Sequence, residues 1–279
     1  MKKNIKYLIE KHINFNVTDY SEDEDNLLSS HEIENIIIRP KDRDELCRII
    51  CERYEKNPEY PYLLDIDTSE ITDMSGVFCP IINTDIIPGN PYLNNHRSYK
   101  NNLMIKVLDL STWETSNVRD MSYMFWACGE KHIDKINIKN FNTSNVTNMQ
   151  GMFGFCNNLS RLDLSSFDTS CVLNMENMFD NCESLKELDL SNFDTSKVVT
   201  MARMFRDCHS LVTLNINGWN MSNIENVNYM FSNCYKLTNI DFSNFNIDID
   251  NIRDGLWGTF SGSDALRLKY DMSRYLNNK

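Results

Sequence analysis

The chain has 279 residues, 41% of them hydrophobic, enough apolar material for one elongated or two compact domains. Forty acidic against 28 basic residues leave a net charge of −12, which argues against nucleic acid or an anionic membrane as the principal partner. No apolar run is long enough to predict a transmembrane segment. The opening MKKNIKYLIEKHINFN lacks the apolar core of a signal peptide, because Glu10, Lys11 and His12 interrupt it.

Residues 1–38 read as a helix, an acidic linker and a strand. Ile5, Leu8, Ile9, His12 and Ile13 form an apolar stripe on a helix predicted over about 3–14. Asp19–Asp25 is the solvated linker, and EIENIIIRP is a strand ended by Pro40. Residues 39–60 contain DRDELCRIICERYEKN, an amphipathic helix with Cys47, Ile50, Cys51 and Tyr54 on one face, suited to cap an open solenoid end. Residues 61–262 carry about seven repeats, interrupted by a proline-containing insertion at 80–102 that reads as a long loop, a common place for functional contacts. Residues 263–279 read as a C-terminal helical cap, with its helix over about 264–276.

The repeat dominates the chain. L-x-x-L-x-L starts at Ile105, Ile133, Leu159, Leu185, Leu211 and Leu237, at intervals of 28, 26, 26, 26 and 26 residues. Columns of equivalent residues follow: Met124, Met152, Met178, Met204 and Met230; Phe125, Phe153, Phe179, Phe205 and Phe231; Cys128, Cys156, Cys182, Cys208 and Cys234. Asp67–Phe78 is a degenerate first unit. The last unit reads as decayed, with Leu256-Trp257 in place of Met-Phe and Phe260 in place of the cysteine. Leu188 and Leu190 alternate with Asp189, predicting a short strand. Met175, Met178, Phe179 and Cys182 are spaced i, i+3, i+4, i+7, predicting a short helix. One strand and one helix in each coil of about 26 residues is the rhythm of a leucine-rich-repeat-like solenoid, an α/β repeat fold. A single unit buries too little apolar surface to offset its own chain entropy, so the units must stack.

Several columns invite a chemical reading. Equivalent positions on adjacent coils lie about 4.8 Å apart, close enough for disulfides. Five stacked thiols cannot all pair, however, and no zinc-type pair of cysteine motifs occurs. The column is therefore read as buried free thiols. No H-E-x-x-H, G-x-S-x-G or P-loop motif occurs, and the five histidines share no repeat position. The chain is read as non-catalytic, without cofactor or metal. Asp109, Asn137, Asp163, Asp189, Asn215 and Asp241 form an outward ladder, read as solvated and hydrogen-bonded, with a cation or a basic partner as the other reading.

LDLSNFDTSKVVTMARMFRDCHSL resembles the repeat of the BspA-like leucine-rich repeat proteins, including the Mycoplasma-type lipoprotein repeat family. The segment from Arg39 to Phe78 resembles the lead-in that precedes such repeats. The resemblance covers roughly residues 39–262. It implies a right-handed solenoid with a binding or adhesive role, often at a cell surface, and no catalytic residues. Members at the surface carry a signal peptide, a lipobox cysteine or a cell-wall anchor, which this sequence does not show. The expectation is a monomeric, cytoplasmic protein-interaction module, bacterial or phage-encoded. The alternative is a cell-surface adhesin or lectin-like protein exported by another route.

A solenoid that binds one partner needs variation from coil to coil on its exposed sheet. The position before the first strand apolar residue varies freely, as Val107, Lys135, Arg161, Glu187, Thr213 and Asn239. The predicted contact strip is Lys135, Arg161, Glu187, Thr213 and Asn239, rimmed by Asp109, Asp163, Asp189 and Asp241. Such a face suits a basic or polar protein partner.

Overall fold

A computed structural model describes residues 37–56, 63–79, 107–128, 133, 135–242 and 257–269. The expected helix at 3–14, the acidic linker and the insertion at 80–102 lie outside the described residues, as does most of the strand before Pro40. Helix α1, Arg43–Lys56, forms within the segment 39–60 where an amphipathic helix is expected. The Asp42 carboxylate accepts from the Glu45 amide at 2.9 Å, an N-cap that satisfies one of the helix's free donors. The helix buries Leu46, Cys47, Ile49 and Ile50. Arg53 pairs with the buried Asp65 at 2.6 Å, and Ile38 bridges in parallel to Ile66.

The strands are three residues each. β1 is Val107–Asp109, β2 Lys135–Asn137, β3 Glu187–Asp189 and β4 Thr213–Asn215. β1 pairs with β2 and β3 with β4, parallel and in register, so Leu108 faces Ile136 and Leu188 faces Leu214. A second parallel ladder runs without interruption through Asp73, Asp120, Asn148, Asn174, Thr200 and Asn226. Successive repeats therefore lie against one another in chain order.

The helix expected in each repeat is replaced by two consecutive tight turns. Met178 N–H donates to the Met175 carbonyl and Cys182 N–H to the Phe179 carbonyl, both at 3.3 Å. Asn177 and Asn181, third in each turn, have φ of 57° and 58°, the left-handed value that a type II turn needs there. The remaining odd-numbered amides reach the next coil: Met175 to Thr200, Asn177 to Ala202, Phe179 to Met204 and Asn181 to Arg206, at 2.7–3.0 Å. A helix would bind those donors internally and leave the coils unbonded to each other. The period in this segment is four residues, one turn each, which a short apolar stripe does not distinguish from 3.6.

The buried columns form as expected. Met121, Met149, Met175, Met201 and Val227 are fully buried, as are Met178 and Phe179. The phenylalanine rings stack from Phe78 through Phe125, Phe153, Phe179, Phe205 and Phe231 to Phe260, with centroids 5.4–5.7 Å apart and planes within 11°. Phe260 thus belongs to the ring column, not to the cysteine column. Ser263 takes the cysteine place, its hydroxyl donating to the Phe231 carbonyl, and Trp257 is exposed. The ring and thiol positions of the final repeat are thus filled three residues later than a fixed 26-residue interval places them. Helix α2, Asp264–Lys269, follows and buries Leu266, and the rest of the helix expected to about 276 lies outside the described residues.

Each column thiol donates to the carbonyl of the phenylalanine one coil back. Cys128 bonds Phe78, Cys156 Phe125, Cys182 Phe153, Cys208 Phe179 and Cys234 Phe205, at 3.0–3.2 Å. Only the protonated thiol can donate, and burial pushes Cys128, Cys182, Cys208 and Cys234 above the usual thiol range. The threonines work similarly: Thr143 and Thr195 each accept from a backbone amide of the next coil and donate to its carbonyl.

Two outcomes follow from this packing. Leu188→Ala should lower the unfolding free energy by about 2–5 kcal/mol in a denaturant titration; a loss below about 1 kcal/mol would show that the column is not core. Cys156, Cys182 and Cys208 should resist iodoacetamide in native buffer and react fully once denatured, read by mass spectrometry. Rapid native labelling would contradict their burial.

Candidate functional site

Because apolar residues at the centre of each strand point inward, the residues on either side point out. Lys135, Arg161 and Glu187 are exposed, while Thr213 is half-buried. With Ile136, Ser160, Leu162, Asp163, Leu188, Asp189 and Asn215 they line one groove of about 850 Å³. The structure thus brings together four of the five expected strip residues and two of the four rim aspartates. Asn239, Asp109 and Asp241 do not line the groove; Asn239 donates its side-chain amide to the Thr213 hydroxyl at 3.3 Å.

The groove sits where the strand ladder is broken. In the third complete repeat, Arg161–Leu164 pairs with neither β2 nor β3, and the main-chain bonds that join Leu110 to Asn137 and Leu190 to Asn215 have no counterpart there among the described residues. The same repeat stays stacked elsewhere. Phe167 lies parallel to Phe193 at 6.5 Å, and Met175 donates to the Thr200 carbonyl. Leu162 is only partly buried, unlike Ile136 and Leu188, and forms a partly exposed apolar floor. Sequence columns missed this opening because Leu162 matches its column in type.

The aspartate ladder is more structural than expected. Asp163 and Asp189 each accept, through Oδ1, the amide of the serine two residues on, Ser165 and Ser191, at 3.0 Å. Hydrogen bonds from the Ser165 side chain and amide to Asp163, and from the Ser191 amide and side chain to Asp189, hold both carboxyls below the usual range. Asp109 does the same for Ser111 and also accepts from the Asn137 side-chain amide at 2.8 Å. The ladder consequently ties each coil's own turn while offering fixed negative charge to the groove.

A second ionic cluster lies on the turn face. Arg206 makes a two-pronged contact with Asp180 in the preceding coil, Nε to Oδ1 at 2.9 Å and Nη2 to Oδ2 at 2.8 Å. Asp180 is buried, and loss of hydration raises its carboxyl to about 6 against the opposing pull of Arg206. His209 stacks on Tyr235 at 5.0 Å. Nothing in this cluster meets the groove. A raised carboxyl stabilises the fold when protonated, and that contribution is lost as pH rises through about 6. Wild type should therefore gain stability relative to Asp180→Asn as pH falls from about 7 to 5. A pH-independent difference in chemical denaturation would refute the assignment.

The groove joins mixed charge to a small apolar floor, a composition for recognition. Its carboxylates Asp163 and Asp189 are already committed to backbone amides. Neither the curated proteins nor the solved structures compared with the chain contain a match. A family model described as "Mycoplasma protein of unknown function, DUF285" matches residues 94–187 and, overlapping, 157–259, more than half of the chain. The chain belongs to this repeat-containing family.

Proposed function

We propose that the chain is a non-catalytic protein-binding module, a right-handed leucine-rich-repeat-like solenoid of the BspA-like kind. The observation that carries the reading is a coincidence of position. The groove opens on the outward strand column that varies between repeats, Lys135, Arg161, Glu187 and Thr213, while the other two outward strand columns repeat with little change. A monotone surface cannot select one partner, and a variable one can. Four coils side by side give a binding surface that no single coil supplies.

The thiols support a reading of the compartment. Five cysteines hydrogen-bonded as donors inside the core fit a reducing environment and support the cytoplasm as the working location. No helix among the described residues is long and apolar enough to cross a membrane.

Partner capture from a host lysate tests the reading. With the intact chain as bait, the double charge reversal Arg161→Glu with Glu187→Arg should abolish capture while the thermal midpoint stays within about 2 °C of wild type. Capture by wild type should also weaken as salt rises. Retention of the partner by the reversed chain would remove the groove from consideration.

A further inference from the structure

We infer that the groove takes an extended polypeptide segment carrying an acidic and a basic side chain two residues apart, a deepening that rests on the binding reading above. The first argument is charge order along the stack. The cations Lys135 and Arg161 belong to the second and third complete repeats. The anions Asp163, Glu187 and Asp189 belong to the third and fourth. The groove is therefore positive towards one end of the stack and negative towards the other. A ligand lying along it is matched when its carboxylate meets Lys135 and Arg161 and its cation meets Glu187 and Asp189.

Distances then select the ligand. Adjacent coils are about 4.8 Å apart, so the midpoint of the two cations and the Glu187 coil are separated by roughly 7 Å. An extended chain rises about 3.3 Å per residue, and side chains i and i+2 share a face about 6.7 Å apart. The two separations are of the same order. Lining residues from Lys135 to Asn215 span four coils, roughly 14 Å, or about four extended residues. A free amino acid would leave most of that length empty.

The broken ladder adds the main chain to this recognition. Arg161, Leu162 and Asp163 make no main-chain hydrogen bonds among the described residues, whereas the Leu164 carbonyl accepts from the Phe167 amide and the Asn192 side chain. A polypeptide brings its own row of donors and acceptors to such a site. The continuous ladder through Asn148, Asn174 and Thr200 keeps the third repeat anchored while its strand segment stands apart. Occupation therefore needs no unstacking of the coils.

Fluorescein-labelled peptides on the full-length chain test the inference by anisotropy. The probes are Gly-Ser-Asp-Val-Lys-Ser-Gly, its order-reversed form with Lys before Asp, and a form with Asn and Gln for the charged pair. One charged order should bind at least roughly tenfold more tightly than the neutral form. The Arg161→Glu with Glu187→Arg chain should lose that preference, since the third coil then carries no cation and the fourth gains one beside Asp189. Lys186→Glu, an exposed change outside the groove, should leave binding as in wild type. Equal binding of all three peptides, or none at all, would overturn the inference. If the peptides fail while the double reversal still abolishes partner capture, the binding reading stands without it; if capture also survives reversal, both fall.

Discussion

Everything in this molecule depends on the passing of alternate main-chain amides from one coil to the next. Donor and acceptor are 25 residues apart in the regular repeats, as in Met149 to Asn174, Met175 to Thr200 and Met201 to Asn226. The offset is 27 for Met121 to Asn148, 28 for Phe231 to Thr259 and 46 for Met74 to Asp120. Local geometry hardly changes: Phe78 stacks on Phe125 at 5.5 Å, as Phe179 does on Phe205. Extra residues are accommodated outside the bonded segment, so insertions do not separate the coils. Side chains then fall into columns because the backbone that carries them is held in register.

That constraint explains what the sequence disclosed and what it hid. Met178, Phe179 and Cys182 recur because each copy meets the same neighbours, and burial of those columns was legible from recurrence alone. The turn pair was hidden because two four-residue turns and two helical turns place the same apolar residues inward. A better clue lay in the third turn position, occupied by Gly76, Gly151, Asn177 and Gly258 in one turn and Asn181, Asn233 and Gly262 in the other. Glycine and asparagine favour the left-handed conformation, whereas mid-helix positions disfavour glycine. Tyr123, Phe155 and Arg203 obscured it, holding φ of 56–59° where their side chains gain nothing from that backbone. Tertiary bonds to neighbouring coils overrode the local preference.

The candidate site was legible in position but not in shape. Variation at Lys135, Arg161, Glu187 and Thr213 could be read because the other two outward strand columns change little. The gap in the ladder could not be, since Leu162 and Leu188 match in sequence and differ only in how far their main chain lies from its neighbours. One trace does exist in spacing. Seven residues separate Cys128 from Lys135, against five between Cys156 and Arg161 and in each later repeat. The break thus lies next to the point where the connection from thiol to strand changes length.

Stability and recognition are divided between faces of the same coil. The turn face commits nearly every polar group: its amides alternate between their own turn and the next coil, and Cys and Thr side chains fill the remaining acceptor sites. A face so fully bonded has few groups left to offer a partner. The strand face needs only one central apolar residue per coil for the core, so its flanking positions can change without cost to the columns. At the third repeat even the ladder bonds are given up, yet Asn174, Val172 and Phe167 of that repeat remain seated. A stack of repeats can relinquish main-chain bonds at one place only because each coil is held at several others, and there the chain has mixed charge, an apolar floor and unbonded peptide groups at Arg161, Leu162 and Asp163 together.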